Sequence, residues 1–162
     1  MPPRQPLDLP RELVAEFDHA LRVTEYLVEV LPDALWRAKP EGFEGRTLAA
    51  VVAHIQSVRR VFAKMGGAKP IPPALDRLRS SKADALKALA ASRQAYTTLF
   101  ERAVADGKAR VKGQPRRLVN MAFYVVQHDA HHRGQITMLL RALDHRLAAD
   151  DVMRMWGWKK IG

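Results

Sequence analysis

Apolar residues return at three- and four-residue steps in four separate stretches of the chain, the periodicity of helices with one buried face. The first stretch runs from about Leu9 to Leu31 and carries Leu13, Phe17, Ala20, Thr24, Leu27 and Leu31 on one side. Asp8 can cap its free N–H groups, Pro10 suits a first helical position, and Pro32-Asp33 closes it. The second starts near Thr47 and ends by Met65, just before Gly66-Gly67, with the stripe Leu48, Val51, Ile55, Val58, Phe62 and Met65. The third opens at Ser81, which pairs with Asp84 as a capping box with a short acid. Its face reads Leu86, Leu89, Arg93, Tyr96, Phe100 and Val104, with Arg93 the odd member, and Asp106-Gly107 ends it. The fourth runs from about Leu118 to Leu147.

Between these stretches lie connectors of turn residues. Trp36 to Arg46 holds Pro40, Gly42 and Gly45, Gly66 to Pro73 is rich in Gly and Pro, and a basic loop from Lys108 holds Gly113 and Pro115. Leu75 and Leu78 suggest a short helical turn. No stretch alternates with period two, and there is no internal repeat. The pattern therefore predicts an all-α fold, a four-helix bundle. Residues 1–162 read as a single domain with a flexible start at 1–7 and a C-terminal tail at 150–162, whose Trp156 and Trp158 are placed to cover a bundle end.

The fourth helix carries the chemistry. Steps of three and four from Leu118 give Leu118, Met121, Val125, His128, His132, Gln135, Leu139 and Ala142 as its seam. The middle of that seam is two imidazoles and an amide where Leu or Val is expected, and burying polar groups costs a few kcal/mol unless each finds a partner. His128 and His132 lie one turn apart on one side of the helix, the spacing by which a helix offers two nitrogen ligands to one metal ion. Two hydrogen-bonded core histidines would give the same pattern. A zinc-like site needs at least a third ligand, and the candidates are His19, His54, His131, His145 and the carboxylates. His19 and His145 fall off the apolar faces and read as exposed. His54 borders the stripe of the second helix and can face the seam, whereas His131 reads as a residue of the site's mouth. Gly134, inside a strong helical pattern, costs about 1 kcal/mol against Ala, which suggests close helix approach or room for a substrate. Gln135 can orient a ligand or water, and Arg133 points toward a salt bridge with acids of the first helix.

Composition narrows the chemistry. The 162 residues are 48% hydrophobic and 27% charged, ordinary for a folded soluble chain. No run approaches the ~20 apolar residues of a membrane span, and residues 1–6 show no secretory signal, so no membrane partner and a cytoplasmic location are expected. There is no cysteine, which excludes disulfides, thiolate ligands and a cysteine nucleophile. Net charge is +10, and the excess lies beyond residue 50, with Lys108, Arg110, Lys112, Arg116 and Arg117 crowding one segment. Such a field can attract nucleic acid, anionic lipid or a small anionic substrate, or simply keep the surface solvated. No zinc-finger spacing, aromatic RNA-binding signature or clear helix-turn-helix accompanies it, which makes nucleic acid the weaker partner.

The stretch His128–Gln135 resembles the HxxxHRGQ signature of the DinB-like (YfiT-like) superfamily. Leu35-Trp36-Arg37 through Gly45-Arg46-Thr47 to His54-Ile55 resembles the family's other landmark, a Trp-Arg-x-Pro connector before a helix ending in His-Ile, here slightly stretched by Ala38-Lys39-Pro40. The resemblance spans roughly residues 9–147. It implies an up-down-down-up bundle holding one divalent ion, often nickel or zinc, on three histidines, which here are His54, His128 and His132. It also implies a homodimer and, from characterised relatives, either transfer of a low-molecular-weight thiol such as bacillithiol, mycothiol or glutathione, or metal-dependent hydrolysis of a small substrate.

Three neutral imidazoles leave a fourth position open, as catalytic rather than structural sites do, so that a water or a substrate thiol there is activated. Asp129, His131 and Gln135 are candidate outer partners of the ligands. A second reading is a non-catalytic module in which the ion knits two helices together and the basic half binds nucleic acid or a protein. A third is an inert relative whose histidines are core residues.

Overall fold

The computed structural model describes residues 6–161; of the expected flexible start, residues 1–5 lie outside that range, and Pro6 and Leu7 are exposed. Helix α1 spans Leu9–Val30, α2 Leu48–Met65, α3 Lys82–Ala105, α4 Leu118–Ala142 and α5 Ala149–Met155, with a short 3-10 turn at Asp33–Leu35; no strand is present among the described residues. The capping groups set the starts. Asp8 Oδ1 accepts from the Arg11 N–H at 3.2 Å, Thr47 Oγ1 from the Ala50 N–H at 3.2 Å, and Ser81 and Asp84 bond each other's backbone in a full capping box.

Packing follows from the connector lengths. Helix α1 packs on α3 and α4, and α2 packs on the same two helices, so α1 and α2 lie across the diagonal. The Ala49 N–H bonds the Trp36 carbonyl at 3.0 Å, and Lys82 Nζ bonds the Leu31 carbonyl at 2.7 Å, so both α2 and α3 start where α1 ends. The Leu118 N–H bonds the Ala109 carbonyl just beyond α3, which returns α4 parallel to α1. The bundle is therefore up-down-down-up. Segment 66–80 crosses its full length between the parallel helices α2 and α3, and the fully buried Gln56 pins it by donating to the Pro73 carbonyl at 2.7 Å and accepting from the Leu75 N–H.

The core is split. One apolar cluster holds Leu27, Leu31, Trp36, Leu48, Ile55, Leu89, Ile136 and Leu140 at the end where α2 and α3 begin. The other holds Phe17, Leu21, Ala63, Tyr96, Phe100, Leu118 and Val125 at the opposite end. Between them runs a layer of buried polar side chains: Thr24, Glu25, Arg59, Ser92, Asp129 and His132.

Three expectations need correction. Helix α4 stops at Ala142 rather than near Leu147, because Asp144 takes a left-handed φ of 55° and the His145 N–H closes back onto the Leu140 carbonyl, a C-terminal stop that Asp tolerates. The residues beyond form α5, tied to α1 by the Tyr26 hydroxyl donating to Asp151. Trp156 and Trp158 cover nothing: they are 74% and 76% exposed, while Met155 makes the core contact in their place. On α3 the buried face is built from Ala85, Ala88, Ser92 and Ala103 with Leu89, Tyr96 and Phe100, and Leu86 and Val104 are only half-buried. Small residues let α1 and α2 pack on both sides of α3, which an apolar stripe of large residues hides. The turn near Leu78 is present at 77–79, its N–H groups capped by Asp76.

Two glycines make opposite predictions. Gly113 has φ of 87°, and a Cβ there would lie 2.1 Å from the Met65 carbonyl oxygen, so this glycine lets the basic loop close on the end of α2. Gly113→Ala should lose about 2 kcal/mol or more in urea unfolding. Gly134 meets nothing within 4 Å of an added Cβ, so close helix approach is not its role. It borders an open cavity of about 520 Å³ between α4 and α5. Gly134→Ala should gain about 1 kcal/mol in the same measurement.

Candidate metal centre

The His128–His132 pair needs only one turn of α4, but its meeting with His54 needs α2 packed alongside. The packing supplies this. The Nε2 atoms of His54 and His128 are 3.3 Å apart and those of His128 and His132 3.1 Å, and one ligand atom from each of the three side chains falls within 4.8 Å of the others. Ligand atoms on a tetrahedral ion at about 2.0–2.1 Å are separated by about 3.3 Å. Nitrogens so placed fit a shared cation, and a core cluster without one would leave most of those lone pairs facing one another.

The surroundings hold the imidazoles in the form that coordinates. His132 is buried and donates from Nδ1 to Gln135 Oε1 at 2.7 Å, which leaves the Nε2 lone pair directed at the other two rings. Gln135 in turn bonds the exposed His131 through its amide nitrogen, 3.0 Å from His131 Nε2. Burial lowers the pKa of His54, and the neighbouring His132, Arg46 and His128 add to it. Burial also lowers the pKa of His132, against the opposing bond to Gln135. Both rings are therefore neutral near pH 7. His54 and His128 are half-buried, so the cluster lies at the edge of the core.

Asp129 behaves differently from a simple outer partner. It is fully buried, and its Oδ2 accepts from the Thr24 hydroxyl at 2.9 Å and from Arg59 Nε at 3.0 Å, with Arg59 Nη2 closer still. Burial raises its pKa, but Arg59 and the hydrogen bonds outweigh that and hold the carboxyl below its usual range. Its second oxygen has no partner, and neither has the buried His128 Nδ1 that lies 3.9 Å from it. The two atoms face each other in the arrangement of the carboxylate–histidine pairing that orients metal ligands, at a separation longer than a hydrogen bond.

The sequence pattern missed Arg59 and Glu25. Arg59 is fully buried, bonds the Leu21 carbonyl, and comes within 3.8 Å of Glu25, which also pairs with Arg93 at 2.9 Å. A signal existed: Arg59 follows Ile55 and precedes Ala63 by four, so it stands on the same helical face as both. Arg93, the odd apolar-face member, is explained by Glu25 and by Asp18 at 2.8 Å. Arg133 reaches α1 as foreseen but bonds the Ala20 carbonyl and the Thr24 hydroxyl, not acids. On α4, Gln135 and Ala142 are exposed while Asp129 and Ile136 are buried, because α4 packs on both α1 and α2 and its buried strip is wider than a single seam. His19 is exposed as anticipated. His145 is half-buried in the cavity beside α5 and is not part of the cluster.

Along the basic segment only Gln114 is buried, donating to the Phe62 carbonyl at 3.0 Å; Lys108, Arg110, Lys112, Arg116 and Arg117 are exposed. No helix among the described residues is long and apolar enough to cross a membrane.

No curated protein and no solved structure matches the chain significantly. The sequence model of the DinB superfamily matches residues 16–136, a span that runs from α1 into α4 and includes all three clustered histidines. This helical chain, with a histidine cluster suited to a metal ion between α2 and α4, therefore belongs to the DinB superfamily.

Proposed function

We propose that the chain is a divalent-metal-dependent enzyme with His54, His128 and His132 as the ligands, transferring a low-molecular-weight thiol to an electrophile or hydrolysing a small substrate. The observation that carries this is the convergence of three Nε2 atoms at the edge of the core, with an unclaimed cleft beside His54. A bound ion, zinc or nickel, supplies Lewis acidity to a thiol or water at the position the imidazoles leave open. The chain has no cysteine, so a thiol nucleophile arrives with the substrate. Gln135 keeps His132 in the coordinating tautomer, the Asp129 carboxylate lies behind His128 at 3.9 Å, and His131 stands at the exposed mouth. The reading includes a homodimer, as the family resemblance implies, and the cytoplasmic location expected from the sequence.

Turnover of a thiol with an electrophile, or of an activated ester, should fall to background on chelation and return with Zn²⁺ or Ni²⁺. Turnover indifferent to exhaustive chelation would overturn the proposal.

A further inference from the structure

The cleft beside His54 has a volume of about 760 Å³, within the range of small-molecule sites. Its walls come from the α1–α2 connector, the first turns of α2 and the turn at 77–79, so three chain segments converge on it. Arg37, Lys39, Arg46 and Arg77 line it against a single carboxylate, Glu44. Among the described residues, none of these four cations has a carboxylate within 4.0 Å, so Glu44 is the one acidic group set among them in the cleft wall. Arg37 is also anchored, donating to the Ser80 carbonyl at 2.6 Å. A concave surface of one sign focuses its field and concentrates ions of the other. Guanidinium groups in particular match planar or tetrahedral oxyanions with paired hydrogen bonds.

We propose that this cleft is an anion subsite: the substrate is a small molecule whose carboxylate or phosphate group is held by Arg37, Arg46 and Arg77 while its reacting end reaches the histidine cluster through the His54 wall. This rests on the function proposed above for its second half only. The cationic cleft binds oxyanions whether or not the histidines hold an ion.

The test uses metal-stripped full-length protein, so that a bound ion contributes nothing, and follows succinate and inorganic phosphate by calorimetry, with succinamide as the neutral control. The wild type should bind at least one of the anions and bind it more tightly than succinamide. Arg46→Gln/Arg77→Gln should weaken that binding at least about tenfold, the size of one lost charged hydrogen bond. Arg110→Gln/Lys112→Gln removes the same charge at the opposite end of the bundle and should change it less than about twofold, since exposed charges so far away are screened. Equal weakening in both double variants, or anions binding no better than succinamide, would overturn the subsite. Arg46→Gln/Arg77→Gln should also keep the wild-type metal content. A wild type that takes up no metal yet binds the anions defeats the metal assignment and leaves the subsite standing.

Discussion

His132→Ala should abolish metal retention. Purified wild type should carry about one divalent ion per chain, the content of a single site with three protein ligands. The variant keeps two imidazoles and loses the buried ring that sits 3.1 Å from His128. Gln135→Ala should produce a graded loss, about 10–100-fold in metal affinity, because the Nδ1 partner that sets the tautomer is gone while all three Nε2 donors remain. Elemental analysis after gel filtration reads both. Thermal melting provides a second readout: an ion at 100 times its Kd stabilises the folded state by about 2.7 kcal/mol, so added Zn²⁺ should raise the melting temperature of the wild type and leave that of His132→Ala in place. Equal metal content in variant and wild type would refute the ligand assignment and leave the histidines as core residues.

Arg59→Met should be the most destabilising single substitution in the polar layer. The guanidinium has no exposed surface and is the buried cation facing both Asp129 and Glu25. Removing it leaves the Asp129 carboxylate at the centre of the bundle with only the Thr24 hydroxyl, whereas Glu25 retains Arg93. Breaking a buried ion pair from one side costs about 3–5 kcal/mol, a large part of the ~5–15 kcal/mol that holds such a domain together. The melting temperature should fall by about 10 °C or more. Removing both charges, in Arg59→Met/Asp129→Leu, should recover much of the loss, because no uncompensated ion is then buried. A double-mutant cycle in urea reads the coupling directly. An Arg59→Met protein within about 1 kcal/mol of wild type would mean that water reaches Asp129 and that the layer is not dry.

Much of this organisation is legible along the chain. Asp8, Thr47 and Ser81 cap the helices whose starts they mark, and Gly107 follows the end of α3 as its sequence suggests. These features depend on contacts reaching three or four residues, which a periodic pattern records. The His128–His132 pair is local in the same sense. Arg59 shares a helical face with Ile55 and Ala63, yet a stripe drawn through apolar positions assigns a charge to the surface, and only its partners on α1 and α4 make its burial tolerable. The tryptophans of the tail misled in the opposite direction: a large apolar side chain can be buried only if another element offers it a surface, and α5 offers Met155 first.

What the sequence alone determined, then, is the set of rods, their caps and one pair of imidazoles a turn apart. Whether a third ring would join them was decided by tertiary structure, since His54 and His128 stand 74 positions apart and meet only because α2 and α4 are neighbours. The assembly of four cations around a cleft from three separate segments was decided in the same way. Short-range hydrogen bonding and side-chain periodicity act within a turn of helix, whereas a site needs groups whose separation is set by how whole helices pack.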